Sequence, residues 1–220
     1  GHVEPEILDF DLHELLQTVD SLWRSRLEGK GLEFSINTAS DIVSVLRDDP
    51  TRIRQILFNL VSNATKFTAT GAVAIGVSQT RLSEDKLETR FEVADTGIGI
   101  APDVQTQIFS KFTQADGSTM RKFGGTGLGL SICKQLAEIL GGEMGFKSTE
   151  GAESVFWFTI RSAPGDLESI DADIFGVGND VFQTTQQVCS MNVLVAEDNG
   201  ANQAVIRAIL EKVGHRVDVV

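Results

Sequence analysis

The order in which helical and alternating segments succeed one another restricts this chain most. Leu12, Leu15, Leu16, Val19, Leu22 and Trp23 recur at helical spacing and predict a first helix over about 12–28. Asp11 with Glu14 three residues on is a capping box, and Gly29 and Gly31 end the helix. Leu32, Phe34 and Ile36 alternate as a strand, and 42–46 read as a short second one. Asp49-Pro50, a cap followed by proline at the first helical position, opens a second helix to about Phe67. Val73, Ile75 and Val77 mark a third strand; Leu87, Thr89, Phe91 and Val93 mark a fourth. A short helical piece near 104–109 follows, then a third long helix over about 127–140 that stops at Gly141-Gly142. Two more short strands are predicted near 143–148 and 154–160. A parallel doubly wound sheet would need regular alternation, which is missing. The expected fold is α/β: a two-layer sandwich with helices on one face of a mixed, mostly antiparallel sheet.

At roughly 150 residues per domain, 220 residues make one full domain and a remainder. Composition shifts after Arg161: residues 162–191 hold five acidic side chains and no basic ones, and read as a linker. From Asn192 the pattern sharpens into a buried strand (Val193 to Ala196), a helix to about Val213 and a strand start at Val217. The formal charge of −12 argues against nonspecific binding to nucleic acid or to an anionic membrane, since the long-range field repels polyanions. Cys133 and Cys189 form no C-x-x-C pair and are too few for a disulfide framework, which favours the reducing cytoplasm. No apolar run approaches the roughly 18 residues of a membrane span, and Gly1-His2-Val3 lacks the features of a signal peptide. The start reads as a boundary inside a longer chain, whose membrane spans, if any, lie elsewhere.

Three segments carry chemistry. On the second helix, Ile53, Ile56, Leu57, Leu60, Val61 and Ala64 share one side, while Asn59, Asn63 and Lys66 line up along a separate edge. Two amide oxygens and an ammonium suit a divalent cation with a polyphosphate; the same spacing also describes an ordinary solvated helix face. Asp95 continues the register of Leu87, Thr89, Phe91 and Val93, so its carboxylate points between the layers, where it needs a donor such as an exocyclic amine. The glycines of Thr96-Gly97-Ile98-Gly99-Ile100 would let backbone approach a flat ring, although Asp-Thr-Gly is also common turn chemistry. Finally, Gly124-Gly125-Thr126-Gly127-Leu128-Gly129-Leu130 leads straight into the third helix, an arrangement that offers free N–H groups and a positive dipole end to an anion. The preceding polar segment, about 111–125, is long enough for a lid and supplies Lys111, Arg121 and Lys122.

Taken in order, 49–68 (DPTRIRQILFNLVSNATKFT), 95–100 (DTGIGI), 108–116 (IFSKFTQAD) and 124–130 (GGTGLGL) resemble the N, first glycine, F and second glycine boxes of a sensor histidine kinase ATP-binding domain. The resemblance covers about 9–161 and implies a Bergerat-type sandwich that binds ATP and Mg²⁺. It implies that Asn59 and Asn63 ligand the magnesium and that Lys66 contacts phosphate. Asp95 would accept from the adenine amine beside Gly97, Gly99 and Ile100, with Phe67 flanking the base. Gly125, Thr126, Gly127, Leu128 and Gly129 would hold phosphates, and Lys111, Phe112, Arg121 and Ser154 complete the implied binding set. Phe109 and Phe112 match the F box, which anchors the lid. Where the family often has Gly-x-Gly-Thr/Ser before the last strand, this chain has Gly151-Ala152-Glu153-Ser154. The tail from Met191 resembles the start of a response-regulator receiver domain, with Glu197 and Asp198 matching its magnesium-binding acidic pair. The implied organisation is a hybrid kinase: 1–10 the end of a dimerisation helix or linker, 11–161 the ATP-binding domain, 162–191 an acidic linker and 192–220 a truncated, receiver-like β-α-β start.

The resemblance also implies partners: a dimerisation domain bearing the phosphoacceptor histidine, and a receiver domain of the same protein or a response regulator. None of His2, His13 and His215 matches that acceptor; His13-Glu14 lacks the Arg-Thr-Pro continuation. The chain is therefore expected to bind nucleotide without phosphorylating itself. Hydrolytic relatives such as gyrase, the Hsp90 chaperones and the MutL proteins place a glutamate one turn before the magnesium asparagine. Here that position is Asn59, which has no basicity with which to activate water. A hydrolase and a non-catalytic nucleotide sensor are the rival readings.

Overall fold

The computed structural model describes residues 5–109, 129–170, 192–195, 203, 207 and 216–219. The chain divides into two compact units, Gly1–Gly176 and Val177–Val220.

In the first unit, β1 (Leu8–Asp11) leads into α1 (Leu12–Glu28), followed by β2 (Leu32–Thr38), β3 (Val45–Asp48) and α2 (Pro50–Phe67). Two long strands, β4 (Gly71–Ser83) and β5 (Lys86–Asp95), precede the short α3 (Pro102–Gln105). Beyond it lie α4 (Gly129–Ile139), β6 (Met144–Thr149), β7 (Glu153–Pro164) and a 3-10 turn at Leu167–Ser169. The strands form one sheet in the order β1-β3-β7-β5-β4-β2, with β6 also paired to β7. All of these pairings are antiparallel except that of β2 with β4. This is the mixed, mostly antiparallel α/β sandwich expected from the sequence.

The helices start where local chemistry tells them to. Asp11 Oδ1 accepts the N–H groups of His13 (2.6 Å) and Glu14 (3.3 Å). Asp49 Oδ1 accepts that of Arg52 (2.9 Å), with Pro50 preset for the first turn. At the far end of α2, Lys30 Nζ donates to the carbonyls of Thr65 and Thr68, which no helical N–H can serve.

One face of each long helix is apolar and packs on the sheet. Leu12, Leu15, Leu16 and Val19 of α1, Ile53, Ile56, Leu57, Leu60 and Val61 of α2, and Cys133, Leu136 and Ala137 of α4 are buried. They meet Val73, Ile75, Val77, Leu87, Phe91, Val93, Phe158 and Ile160. Phe91 and Phe158 are register partners whose rings stack at 4.7 Å. Each such fully buried side chain contributes about 1.5–3 kcal/mol, so this interlayer core holds the site's two supports together.

Four sequence expectations shift. Leu8–Asp11 is a strand, paired with β3 from Leu8↔Asp48 to Asp11↔Val45, where no strand was predicted. β3 begins at Val45 instead of Ile42, because the Gln79 side chain takes both backbone groups of Val43 (2.7 and 3.1 Å) and replaces a ladder partner. α3 lies at Pro102–Gln105, starting two residues before the predicted piece and ending four residues sooner, since Pro102 sets its first turn. β7 continues to Pro164, and Gly165 and Asp166 remain bonded to Val45 O and Asp9, so the first three residues of the predicted linker belong to the sheet.

In the second unit, β8 (Asn192–Val195) and β9 (Arg216–Val219) pair in parallel, and Gln203 and Arg207 between them are helical. A parallel pair needs a crossover, which is the strand–helix–strand order predicted there. Glu197 and Asp198 lie outside the described residues. Among the described residues, no helix is long and apolar enough to cross a membrane.

Candidate functional site

The inner face of β5 carries Leu87, Thr89, Phe91 and Val93, and the same register places Asp95 at its end, buried at 7% exposure. Asp95 Oδ1 accepts the N–H of Gly97 (2.9 Å) and the hydroxyl of Thr68 (3.4 Å). No described residue donates to Oδ2. Burial raises the Asp95 pKa above the ordinary aspartate value, and the bonds from Gly97 and Thr68 counter it only in part. A buried carboxylate with one oxygen held and the other without a described donor can accept from a ligand.

Thr68 directly follows α2, so the helix and the carboxylate are tied at this corner. Five residues back, about 7.5 Å along the helix axis, is Asn63. Its Nδ2 donates to Asn59 Oδ1 at 3.1 Å, which aligns the two half-buried amides along one edge. One turn further on, Lys66 Nζ lies over the Phe67 ring, 4.9 Å from its centre. Asn59 and Asn63 are thus joined near the end of the helix whose following residue touches Asp95, and Lys66 lies between them and that corner. Among the described residues, no group of three or more His, Cys, Asp or Glu side chains could hold a metal ion.

The glycines have a more specific cause than a flat ring. A Cβ on Gly97 would fall 2.5 Å from the Phe67 carbonyl oxygen. Gly99 has φ +64° and lies against the backbone of Thr149. Both contacts fold the loop after β5 back onto protein, and Ile98 closes it by donating to Phe67 O (3.3 Å) and accepting from Gly151 N (2.7 Å). Gly129, the first residue of α4, packs on the Asn59 amide.

Ser154 is buried on β7 directly opposite Asp95, and Ser148 on β6 is directly opposite Ser154. Ser148 Oγ accepts from Ile100 N at 2.9 Å, so this row also holds the loop after β5. Gln105 Nε2 adds a bond to Ile100 O (2.7 Å). Phe109 docks edge-on against Phe146 (5.7 Å), which in turn stacks on Phe156 (5.6 Å), the anchoring expected of an F-box aromatic. Thr68, Ser148 and Gln105 were not singled out from the sequence. For Ser148 a signal existed: Met144, Phe146 and Ser148 alternate on one face of β6. Lys111, Phe112, Arg121, Gly125, Thr126, Gly127 and Leu128 lie outside the described residues.

Residues 48–164 match the family model described as "Histidine kinase-, DNA gyrase B-, and HSP90-like ATPase". The chain is 37% identical over 238 residues to the sensory/regulatory protein RpfC of Xanthomonas campestris, covering 99% of this chain and 32% of RpfC. It spans a third or less of the length of the curated relatives it matches. Full-length ShkA, solved in complex with AMPPNP, matches with a TM-score of 0.64 at 30% identity over 100% of this chain and 42% of that one. The catalytic domain of histidine kinase ThkA matches with a TM-score of 0.59 at 30% identity over 70% of this chain and 95% of that one. ThkA has also been solved with the response regulator TrrA (TM-score 0.55, 26% identity, 73% of this chain and 43% of that one). A buried acceptor beside an amide-bearing helix, on a sandwich of this topology, thus sits within a match to half the chain: the protein belongs to the histidine kinase-, DNA gyrase B- and HSP90-like ATPase family, among the histidine kinase catalytic domains.

Proposed function

We propose that this chain binds an adenine nucleotide with Mg²⁺ between α2 and the end of β5, and presents its γ-phosphoryl group to a histidine on a separate dimerisation segment. The observation that carries the reading is the Asp95 carboxylate: buried, held through Oδ1, and without a described donor at Oδ2. An exocyclic amine supplies that donor. Asn59 and Asn63 would hold the metal through their amide oxygens, with Lys66 toward the phosphates. The neutral amides fit a hard cation that already carries phosphate oxygens. When bound, Mg²⁺ offsets the charge of the polyphosphate. Gly97, Gly99 and Ile100 shape the base side, Phe67 flanks it and Ser154 joins Asp95. Lys111, Phe112, Arg121, Gly125, Thr126, Gly127, Leu128 and Gly129 complete the proposed binding set on the phosphate side.

The residues favour transfer over hydrolysis. Asn59 stands where a hydrolase needs a general base, and an amide cannot take a proton from water. The chain positions and neutralises, and the attacking imidazole comes from outside it. The parallel β8–β9 pair supports a receiver-type start at 192–220, joined by an acidic segment to an ATP-binding domain whose sheet runs from Leu8 to Pro164. The proposed partners are the histidine-bearing dimerisation domain and a receiver domain of the same protein or a response regulator, as ThkA is found with TrrA. Dependence on cellular ATP assigns the domain to the cytoplasm.

The test mixes residues 1–220 with the parent protein's dimerisation segment and γ-labelled ATP. Acid-labile label on the histidine of the added segment, and none on the 1–220 chain alone, is expected. Steady-state turnover by the chain alone would establish a hydrolase instead, and nucleotide binding without labelling would establish a sensor.

A further inference from the structure

Asp95, Ser154 and Ser148 occupy one row across β5, β7 and β6, each the register partner of the next. We propose that Ser148 is a positioning residue that orients the Ser154 hydroxyl, so that the site accepts a 6-amino purine and rejects a 6-oxo purine. This rests on the nucleotide reading above and refines it.

The proton arithmetic is closed. A serine hydroxyl has one proton and two lone pairs. The Ile100 N–H can only donate, and it enters Ser148 Oγ at 2.9 Å. The Glu153 carbonyl can only accept, and it takes the Ser148 proton at 2.9 Å. Ser148 then has no proton left for Ser154, 3.0 Å away, so Ser154 donates in that contact. The Ser154 oxygen keeps only lone pairs for anything else that approaches it.

Ser154 is 4% exposed, and directly opposed strand residues have Cβ atoms about 4.5–5.5 Å apart. Asp95 and Ser154 are therefore neighbouring acceptors on adjacent strands. An exocyclic amine carries two N–H groups and can serve both. A 6-oxo group would set lone pairs against lone pairs and leave buried acceptors unmatched, which discriminates more sharply than a difference in size. Without the Ser148 hydroxyl, Ser154 could rotate and offer its proton to such an oxygen.

The test measures binding of ATP and ITP, which differ at the 6-position and N1, to the full 220-residue chain with Mg²⁺ by calorimetry. The unaltered protein is expected to prefer ATP by about tenfold or more. Ser148→Ala should narrow that ratio about fivefold or more, and Ser148→Thr should restore it. Ser154→Ala, which removes the second acceptor itself, should narrow it too and serves if Ser148→Ala does not fold. An unchanged ratio in folded Ser148→Ala, including equal loss of both nucleotides, would overturn the role of Ser148, as would an unchanged ratio in Ser154→Ala. So would an unaltered protein that binds ATP and ITP equally, while leaving the nucleotide reading intact. Failure of the unaltered protein to bind either would overturn that reading and this one with it.

Discussion

Gly129 at the start of α4 lies so close to the Asn59 amide of α2 that a Cβ there would fall 2.7 Å from Nδ2 and 2.9 Å from Oδ1. The two helices meet through a missing side chain, and the amide that fills the space is also the one bonded to Asn63. Gly129→Ala is expected to push Asn59 aside rather than to break the core, since the obstacle is the end of a short side chain. Stability should change by no more than about 1 kcal/mol, while affinity for Mg²⁺-nucleotide falls about tenfold. In a double-mutant cycle with Asn59→Ala the two losses should not add, because both remove the same amide position. Additive losses would sever the link.

Asp95→Asn separates the two jobs of this carboxylate. Asparagine Oδ1 can still accept from Gly97 and Thr68, so the loop after β5 keeps its hold. At the other oxygen an amide N–H replaces an acceptor and opposes an amine. Affinity for ATP is expected to fall about 10- to 100-fold with the circular dichroism spectrum unchanged. Titration calorimetry showing undiminished binding would remove Asp95 from the site.

Asp48 sets a pH dependence of stability. It is 4% exposed, its Oδ1 accepts from Asp49 N (2.8 Å), and its Oδ2 has no hydrogen-bond partner among the described residues. Burial above all pushes its pKa to about 6 from 3.8; the bond from the Asp49 N–H opposes the rise, and the charge of the Asp49 carboxylate adds to it. The folded pKa lies above the unfolded one. The charged form is therefore penalised in the fold: the penalty is absent below 3.8, grows between 3.8 and about 6, and is complete above that. Asp48→Asn should stabilise the protein by about 1–3 kcal/mol at pH 7.5 and by little at pH 4, measured by urea unfolding. An equal gain at both values would show that charge is not the cause.

Cys133 is buried on α4 and its thiol is pushed up to about 12 by burial. The thiolate is the reactive form, so the side chain should be inert at neutral pH. In a Cys189→Ser variant, a disulfide reagent at pH 8 is expected to titrate no thiol until denaturant is added. Rapid reaction in the native state would mean that the face of α4 opens.

Much of this architecture was legible because its signals are local. Asp49-Pro50 starts α2 and Asp11 starts α1 wherever they occur, since a carboxylate that accepts the first free N–H groups depends only on nearby residues. Alternation along β5 carried far enough to aim Asp95 inward. β1 was not legible: its partner Asp48 is forty residues beyond Leu8, and four residues reading Leu-Asp-Phe-Asp gain strand character only from that pairing. The same holds for β3, whose start depends on where Gln79 of β4 reaches.

The sequence by itself determined the two helix starts, the apolar faces, the amide edge of Asn59, Asn63 and Lys66, and the inward carboxylate, since each follows from periodicity or capping within a few residues. Only the tertiary structure decided that Ser148 and Ser154 stand in a row with Asp95, and that Gly129 seats against Asn59. Register across three strands and the approach of two helices are long-range relations, and a serine or a glycine looks the same in a sequence whether or not another element packs against it.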